Sequence, residues 1–212
     1  SGTLRVAITG FGRDTMDPAQ QTWSGTGPVL SAMYDSLLKH SSDGKLIPGI
    51  AEKWEMSADG LSWTFYVRRG VKFHNGKPLS AKDVKFSLER FLNPKAKSPF
   101  TGTLKQNIKS VELVDDYTVK VHTRAKLPFF PNTLSMYLGP EGCVLPKDYI
   151  TKGAGKDFKK QGKFIDKAPV GSGPWKFVDR KKGDFMAFEA VEGHWRTTPA
   201  FKKLIFYGVR EE

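Results

Sequence analysis

Four histidines, one cysteine and a few adjacent carboxylates are the side chains of this 212-residue chain best suited to chemistry. Their spacing decides which chemistry is open to them. A metal centre needs ligands that converge, yet His40, His74, His122 and His194 show no H-x-H, H-E-x-x-H or Cys/His spacing, so no metal ligand is expected. Cys143 has no second cysteine to pair with, and its Gly-Cys-Val-Leu setting reads as a small buried filler. Low cysteine use fits the cytosol and a bacterial periplasm equally. Asp115 and Asp116 adjoin at a turn, where neighbouring carboxylates face water instead of sharing a proton or a cation. Nucleophilic catalysis needs an activated Ser or Cys on a rigid elbow, and Gly171-Ser172-Gly173 is one residue short of G-x-S-x-G. Gly25-Thr26-Gly27-Pro28 fails the dinucleotide fingerprint because Leu30 stands in place of its third glycine. No catalytic residue, no metal and no cofactor follows, and the expectation is a protein that is not an enzyme.

Recognition fits these residues better. Trp23-Ser24-Gly25-Thr26-Gly27 leads into a helix whose first N–H groups lack internal partners, so the loop can offer backbone donors and an aromatic face to a ligand. The competing reading packs Trp23 over the helix start. A net charge of +12 and a pI near 9.7 raise the question of nucleic acid. Lysines are strewn along the chain, densest at Lys156, Lys159, Lys160 and Lys163, with no aromatic RNP pattern, zinc-finger spacing or basic heptad. A solvated basic surface is expected, with no nucleic-acid partner. The 39% hydrophobic content suffices for a packed core, and no run approaches the roughly 20 apolar residues of a membrane span. SGTLRVAI lacks the features of a signal peptide, so the chain is expected to be mature or trimmed.

The elements that hold these residues follow from periodicity. Leu4, Val6 and Ile8 alternate in a strand stopped by Gly10 to Gly12. Pro28 opens a helix through about His40, with Val29, Ala32, Met33 and Leu37 on its buried side. Leu61, Trp63, Phe65 and Val67 alternate with wetter residues in a half-buried strand, and Asn75-Gly76 supplies a tight turn. Ser80 and Asp83 form a capping box for a helix starting at Ala81. Its apolar stripe is Ala81, Val84, Leu88 and Phe91, it leaves Lys82, Lys85, Glu89 and Arg90 in water, and Asn93-Pro94 ends it. A hairpin joins Val111 and Leu113 to Tyr117, Val119 and Val121 through Asp115-Asp116. Thr151 to Ala168 reads as a connector with one short helix. Trp175 to Val178 pairs with Phe185 to Val191, and Leu204 to Val209 adds a strand. The fold class is α/β with mixed sheets.

The string AEKWEMSADGLSWTFYVRRGVKFHNGKPLSAKDVKFSLERF, from Ala51 to Phe91, closely resembles the signature region of the family 5 extracellular solute-binding proteins of ABC transporters, the peptide- and nickel-binding group. LRVAI, Met16-Asp17-Pro18, YDSLLKHSSDGKLIPGIAEKWE, PVGSGPWKF and GHWRTTPAFKKLIF match in family order, so the resemblance runs from about Leu4 to about Val209. It implies the N-terminal lobe of a two-lobed periplasmic-binding-protein type II (cluster C) fold, with the second lobe absent. Residues 1–32 would be the first segment of a base domain, 33–150 an inserted α/β subdomain and 151–212 the second base segment. It places Trp23, Ser24, Gly25 and Thr26 where members contact ligand. The segment Ser135-Met136-Tyr137-Leu138 also borders the cleft, with Met136 and Tyr137 as contacts and core packing as the rival role of Met136. The implied function is capture of a small ligand, a peptide first and a metal chelate, sugar or opine-like compound otherwise, for an ABC importer. The implied partners are that ligand and the permease subunits, the implied compartment is the periplasm, reached through a signal peptide since removed, and the full-length receptor would be a monomer. A hydrolase or a basic nucleic-acid-binding protein are the rivals from other classes.

Overall fold

The computed structural model describes residues 2–21, 26–137 and 139–209. In chain order the elements are β1 (Thr3–Ile8), α1 (Gly27–Met33), β2 (Leu38–His40), β3 (Leu46–Pro48), β4 (Ala51–Met56), β5 (Ser62–Val67), α2 (Ala81–Leu92), α3 (Thr101–Asn107), β6 (Ile108–Asp115), β7 (Thr118–Thr123), α4 (Lys147–Ala154), α5 (Phe158–Lys167), β8 (Trp175–Lys181), β9 (Phe185–Ala190) and β10 (Lys203–Gly208). One four-stranded sheet runs β1-β10-β9-β8, pairing β1 in parallel with β10, so strands from both ends of the described chain share it. A second, antiparallel sheet runs β4-β5-β7-β6, and β2 pairs with β3 beside it.

Local sequence accounts for much of this. In β5, Trp63, Phe65 and Val67 are buried and Phe65 lies opposite Val119 of β7. Leu61, expected to join that row, sits outside β5 and is exposed, because the chain is still in the turn closed by Gly60 N donating to Ser57 O. Gly76 has φ 78°, the left-handed conformation the turn after Phe73 requires. The capping box forms: the Asp83 carboxylate accepts from Ser80 N at 2.9 Å and also from Lys147 N at 2.9 Å, so it joins the starts of α2 and α4.

Three further expectations change. The helix opened by Pro28 ends at Met33, not near His40, because the backbone of 35–37 is drawn into other pairings: Leu37 N donates to Gly142 O, and Ser36 O and Leu37 O accept from Ile50 N and Ala51 N. Thr151 to Ala168 overlaps two helices, α4 and α5, which pack together. Phe158, Gln161 and Ile165 turn inward at helical spacing while the lysines keep to solvent, and Gly153 is the contact point, since a Cβ there would lie 2.3 Å from the Phe164 ring. Arg90 is the third. It is 3% exposed, not in water, and its Nη2 donates to Asp17 Oδ2 at 2.6 Å while Nη1 donates to Gln161 Oε1. The guanidinium also lies 4.6 Å from the centre of the Phe158 ring.

Asp17 belongs to the loop after β1, so this ion pair ties that loop to α2 and α5. Burial pushes the Asp17 carboxyl up from its ordinary pKa, opposed by the Arg90 charge. Removing one partner strands the other in the interior, which costs about 3–5 kcal/mol. Arg90→Met should lower the urea-denaturation free energy by about that amount, and Arg90→Met with Asp17→Asn should recover part of it; equal losses in the two variants would contradict the role of the charge pair.

Candidate functional site

The segment that leaves α1 carries a carboxylate into the interior. Asp35 is 2% exposed and is surrounded by donors from a distant part of the chain. Trp195 Nε1 donates to Oδ2 at 2.7 Å, and Arg196 donates to Oδ1 from Nε at 2.9 Å and from Nη2 at 2.5 Å. His194 Nε2 lies 3.4 Å from Oδ2. Burial alone raises a carboxyl pKa, but the His194 contact, the Arg196 charge and the Arg196 and Trp195 hydrogen bonds outweigh it and hold Asp35 below its ordinary value. Asp35 is therefore an anion at neutral pH.

Above Asp35 opens a small concavity of about 180 Å³. Ser31 and Tyr34 from α1 and the residue after it, Lys39 and His40 from β2, Met136 and Tyr137 from the loop beside β2, and Arg196 line it. A bridge between Leu38 and Ser135 sets that loop against β2. Tyr137 is 66% exposed, and its ring tilts against His40 with centroids 4.7 Å apart. The Lys39 ammonium is held below its ordinary pKa by burial first and by the Arg196 charge second. The concavity thus combines a broad aromatic face, the Lys39 cation and a thioether over a rigid ionic floor made by Asp35 and Arg196. Such a surface can grip a small polar molecule through stacking and charge, with Met136 adapting to its shape.

Two histidines are committed elsewhere. His74 accepts from Gly171 N at Nδ1 and donates from Nε2 to Gly173 O at 2.8 Å, while His194 accepts from Arg196 N at Nδ1 and donates from Nε2 to Ser172 O at 2.9 Å. Together the two rings clamp the Gly171-Ser172-Gly173 turn. That turn lies against the end of α1: Gly173 N donates to Met33 O at 2.8 Å, and a Cβ on Gly171 would come within 2.1 Å of the same oxygen. Among the described residues no group of three His, Cys, Asp or Glu side chains is placed to hold a metal. Cys143 is buried, with burial pushing its thiol well above the ordinary value, and Ser172 Oγ has no hydrogen-bond partner among the described residues. Neither is hydrogen-bonded to a histidine or carboxylate among the described residues, the Cys143 Sγ contact being Met136 Sδ.

Of the residues singled out from sequence, Met136 and Tyr137 meet in the concavity. Thr26 stands at the start of α1, 1% exposed, its Oγ1 without a hydrogen-bond partner among the described residues, and is not among the lining residues. Trp23, Ser24 and Gly25 lie outside the described residues. Sequence reasoning missed Asp35, Lys39, His40 and Arg196. Asp35 and Arg196 stood only inside the family-matching strings YDSLLKHSSDGKLIPGIAEKWE and GHWRTTPAFKKLIF, with no role given to either.

Comparison with known proteins adds to this geometry. Residues 45–212 match the model of the bacterial extracellular solute-binding proteins, family 5. A glutathione-binding protein of Pectobacterium atrosepticum is 32% identical over 191 residues, spanning 90% of this chain and 35% of that protein. The dipeptide-binding protein of Escherichia coli is 34% identical over 183 residues, spanning 76% of this chain and 32% of that protein. A periplasmic binding protein of Helicobacter pylori, solved with the peptide STSA, superposes with a TM-score of 0.83 at 30% identity, covering 98% of this chain and 43% of that one. The chain thus spans about a third of the length of these curated relatives.

The histidine clamp carries a pH dependence. Burial holds His74 below the ordinary histidine pKa of about 6.5, although its bond to Gly173 pulls the other way. The unfolded chain takes up a proton near pH 6.5 and the folded ring does not. The stabilisation is therefore whole above about pH 6.5 and is lost as pH falls through the folded pKa, with a slope of at most about 1.4 kcal/mol per pH unit. Urea denaturation at about pH 7.5 and 5.5 should show the native chain losing on the order of 1 kcal/mol more than His74→Gln, whose amide keeps the bond to Gly173. Identical losses would remove His74 as the titrating group.

Proposed function

The chain belongs to the bacterial extracellular solute-binding proteins, family 5, and on that premise we propose that it is the part of a receptor that takes up a small solute, a peptide first, for an ABC importer. The observation that carries the reading is the concavity at Tyr137 and Met136: its floor groups are committed to one another, and its exposed aromatic wall is left for something from outside. A surface of this kind binds without reacting, because Asp35 is fully engaged and, among the described residues, neither Ser172 Oγ nor Cys143 Sγ is hydrogen-bonded to a base. Relatives named for glutathione and dipeptide binding put peptides ahead of metal chelates, sugars and opine-like compounds.

In this reading residues 1–32 and 151–212 form a base, 33–150 an inserted subdomain, and Trp23 to Thr26 joins Met136 and Tyr137 at the ligand. The receptor works as a monomer in the periplasm and delivers its closed, loaded state to the permease. Closure is a shift of population that only a ligand touching both lobes can drive. Contacts from this chain alone supply part of the affinity, and each missing 1.4 kcal/mol weakens binding about tenfold.

Titration of the isotope-labelled 212-residue chain with di- and tripeptides, followed by NMR, tests the proposal. Expected are millimolar-range shifts centred on Tyr137, His40 and Thr26 that Tyr137→Ala weakens at least about fivefold, with the peptide intact afterwards. Cleavage of the peptide, or shifts confined to other surfaces, would count against it.

A further inference from the structure

The excess positive charge has a structure of its own. Around a groove of about 460 Å³ stand Arg13 from the loop after β1, Lys95 and Lys97 from the connection between α2 and α3, and Lys159 and Lys163 from α5. All of these side chains are exposed, and the buried ring of Phe158 contributes to the floor. Elsewhere several surface lysines pair with acids: Lys45 with Asp43, Lys53 with Glu55, Lys82 with Asp148, Lys176 with Glu189 and Lys181 with Asp184. Among the described residues none of the groove cations has a carboxylate within 4.0 Å. The nearby acids are already engaged. Asp166 Oδ1 accepts from Thr15 Oγ1 and Met16 N at 2.7 and 2.6 Å, and Asp157 caps α5 by accepting from Lys160 N at 2.8 Å.

The positive surface extends past the groove. Lys156, Lys160, Lys163 and Lys167 recur at intervals of four, three and four residues, which puts them along one side of α5 and the turn before it, and all four are exposed. A discrete small anion seated in the groove would leave most of this stripe unneutralised. A plane of phosphates can meet the stripe and the groove together, with the apolar floor receiving the upper part of an acyl or glycerol group.

We propose that this face of α5, with the loops at Arg13 and at Lys95 to Lys97, binds the headgroup surface of an anionic phospholipid bilayer. The proposal is independent of what the concavity at Tyr137 binds. Each basic side chain near such a surface strengthens partition about fivefold, and the attraction fades within a Debye length of about 8 Å at physiological salt. In the cell this would hold the chain beside a membrane and restrict its search for a membrane partner to two dimensions.

Flotation of the 212-residue chain with vesicles of phosphatidylglycerol and phosphatidylethanolamine, or of phosphatidylcholine alone, tests it at low and high salt. The expected result is binding to the anionic vesicles only, lost at high salt. It should fall at least a hundredfold in the variant Lys95→Glu, Lys97→Glu, Lys159→Glu, Lys163→Glu and much less in a variant with the same charge change at Lys45, Lys53, Lys82 and Lys181. Circular dichroism melting confirms that both variants fold. Equal binding to both vesicle types, or equal loss in the two variants, would overturn the proposal. So would saturable binding of inorganic tripolyphosphate with no binding to vesicles, which would mark a discrete anion site.

Discussion

A carboxylate inside a protein must have its lone pairs met by donors, and at Asp35 that requirement organises the site. The donors Trp195 and Arg196 arrive from a part of the chain about 160 residues further on, as the sequence separations of their bonds to Asp35 show. An ion pair so placed fixes the path of residues 34–38, and that path positions β2. Lys39 and His40 are carried with it, and the bridge from Leu38 to Ser135 brings Met136 and Tyr137 alongside. Without the Asp35 charge, Arg196 and Trp195 would have no reason to lie under the concavity.

The same device recurs at the other long-range joints. Arg90 and Asp17 tie the loop after β1 to α2 and α5, and the pair His74 and His194 holds the Gly171-Ser172-Gly173 turn against the end of α1. In each case a polar group that could do chemistry is engaged in architecture. That separates the groups holding the fold from those open to a ligand, and the open ones at the concavity are few: an aromatic face, a thioether and the Lys39 cation. The lysines of α5 are open in a different sense, since they have no carboxylate within 4.0 Å among the described residues and stand together.

Elements set by neighbouring residues could be read from the sequence. The alternation of β5, the Asn75-Gly76 turn, the Ser80 and Asp83 capping box and both later hairpins depend on spacings of two to five residues, and all of them form. What escaped depends on distant partners. α1 stops at Met33 because residues near 50 and 142 take its next backbone groups, and nothing in Tyr34 to Leu37 announces that. Arg90 falls on a position that looks wet by helical spacing, and only the arrival of Asp17 and Gln161 makes burial tolerable. The α5 region looked like a connector because glycines and lysines dominate it, whereas Gly153 serves close packing and the lysines line one side. At the candidate site, the family resemblance pointed to Met136 and Tyr137, while Lys39, His40 and Arg196 become legible only once Asp35 is known to be buried.

Hydrogen exchange at the Trp195 indole N–H and the Arg196 Nε–H, in the native chain and in Asp35→Asn, tests most directly whether the buried charge organises the site. Both protons should exchange slowly at neutral pH in the native chain and at least tenfold faster in Asp35→Asn, with amides of β5 and β9 still protected. Rapid exchange at Arg196 in the native chain, or rates unchanged by the substitution, would contradict the account.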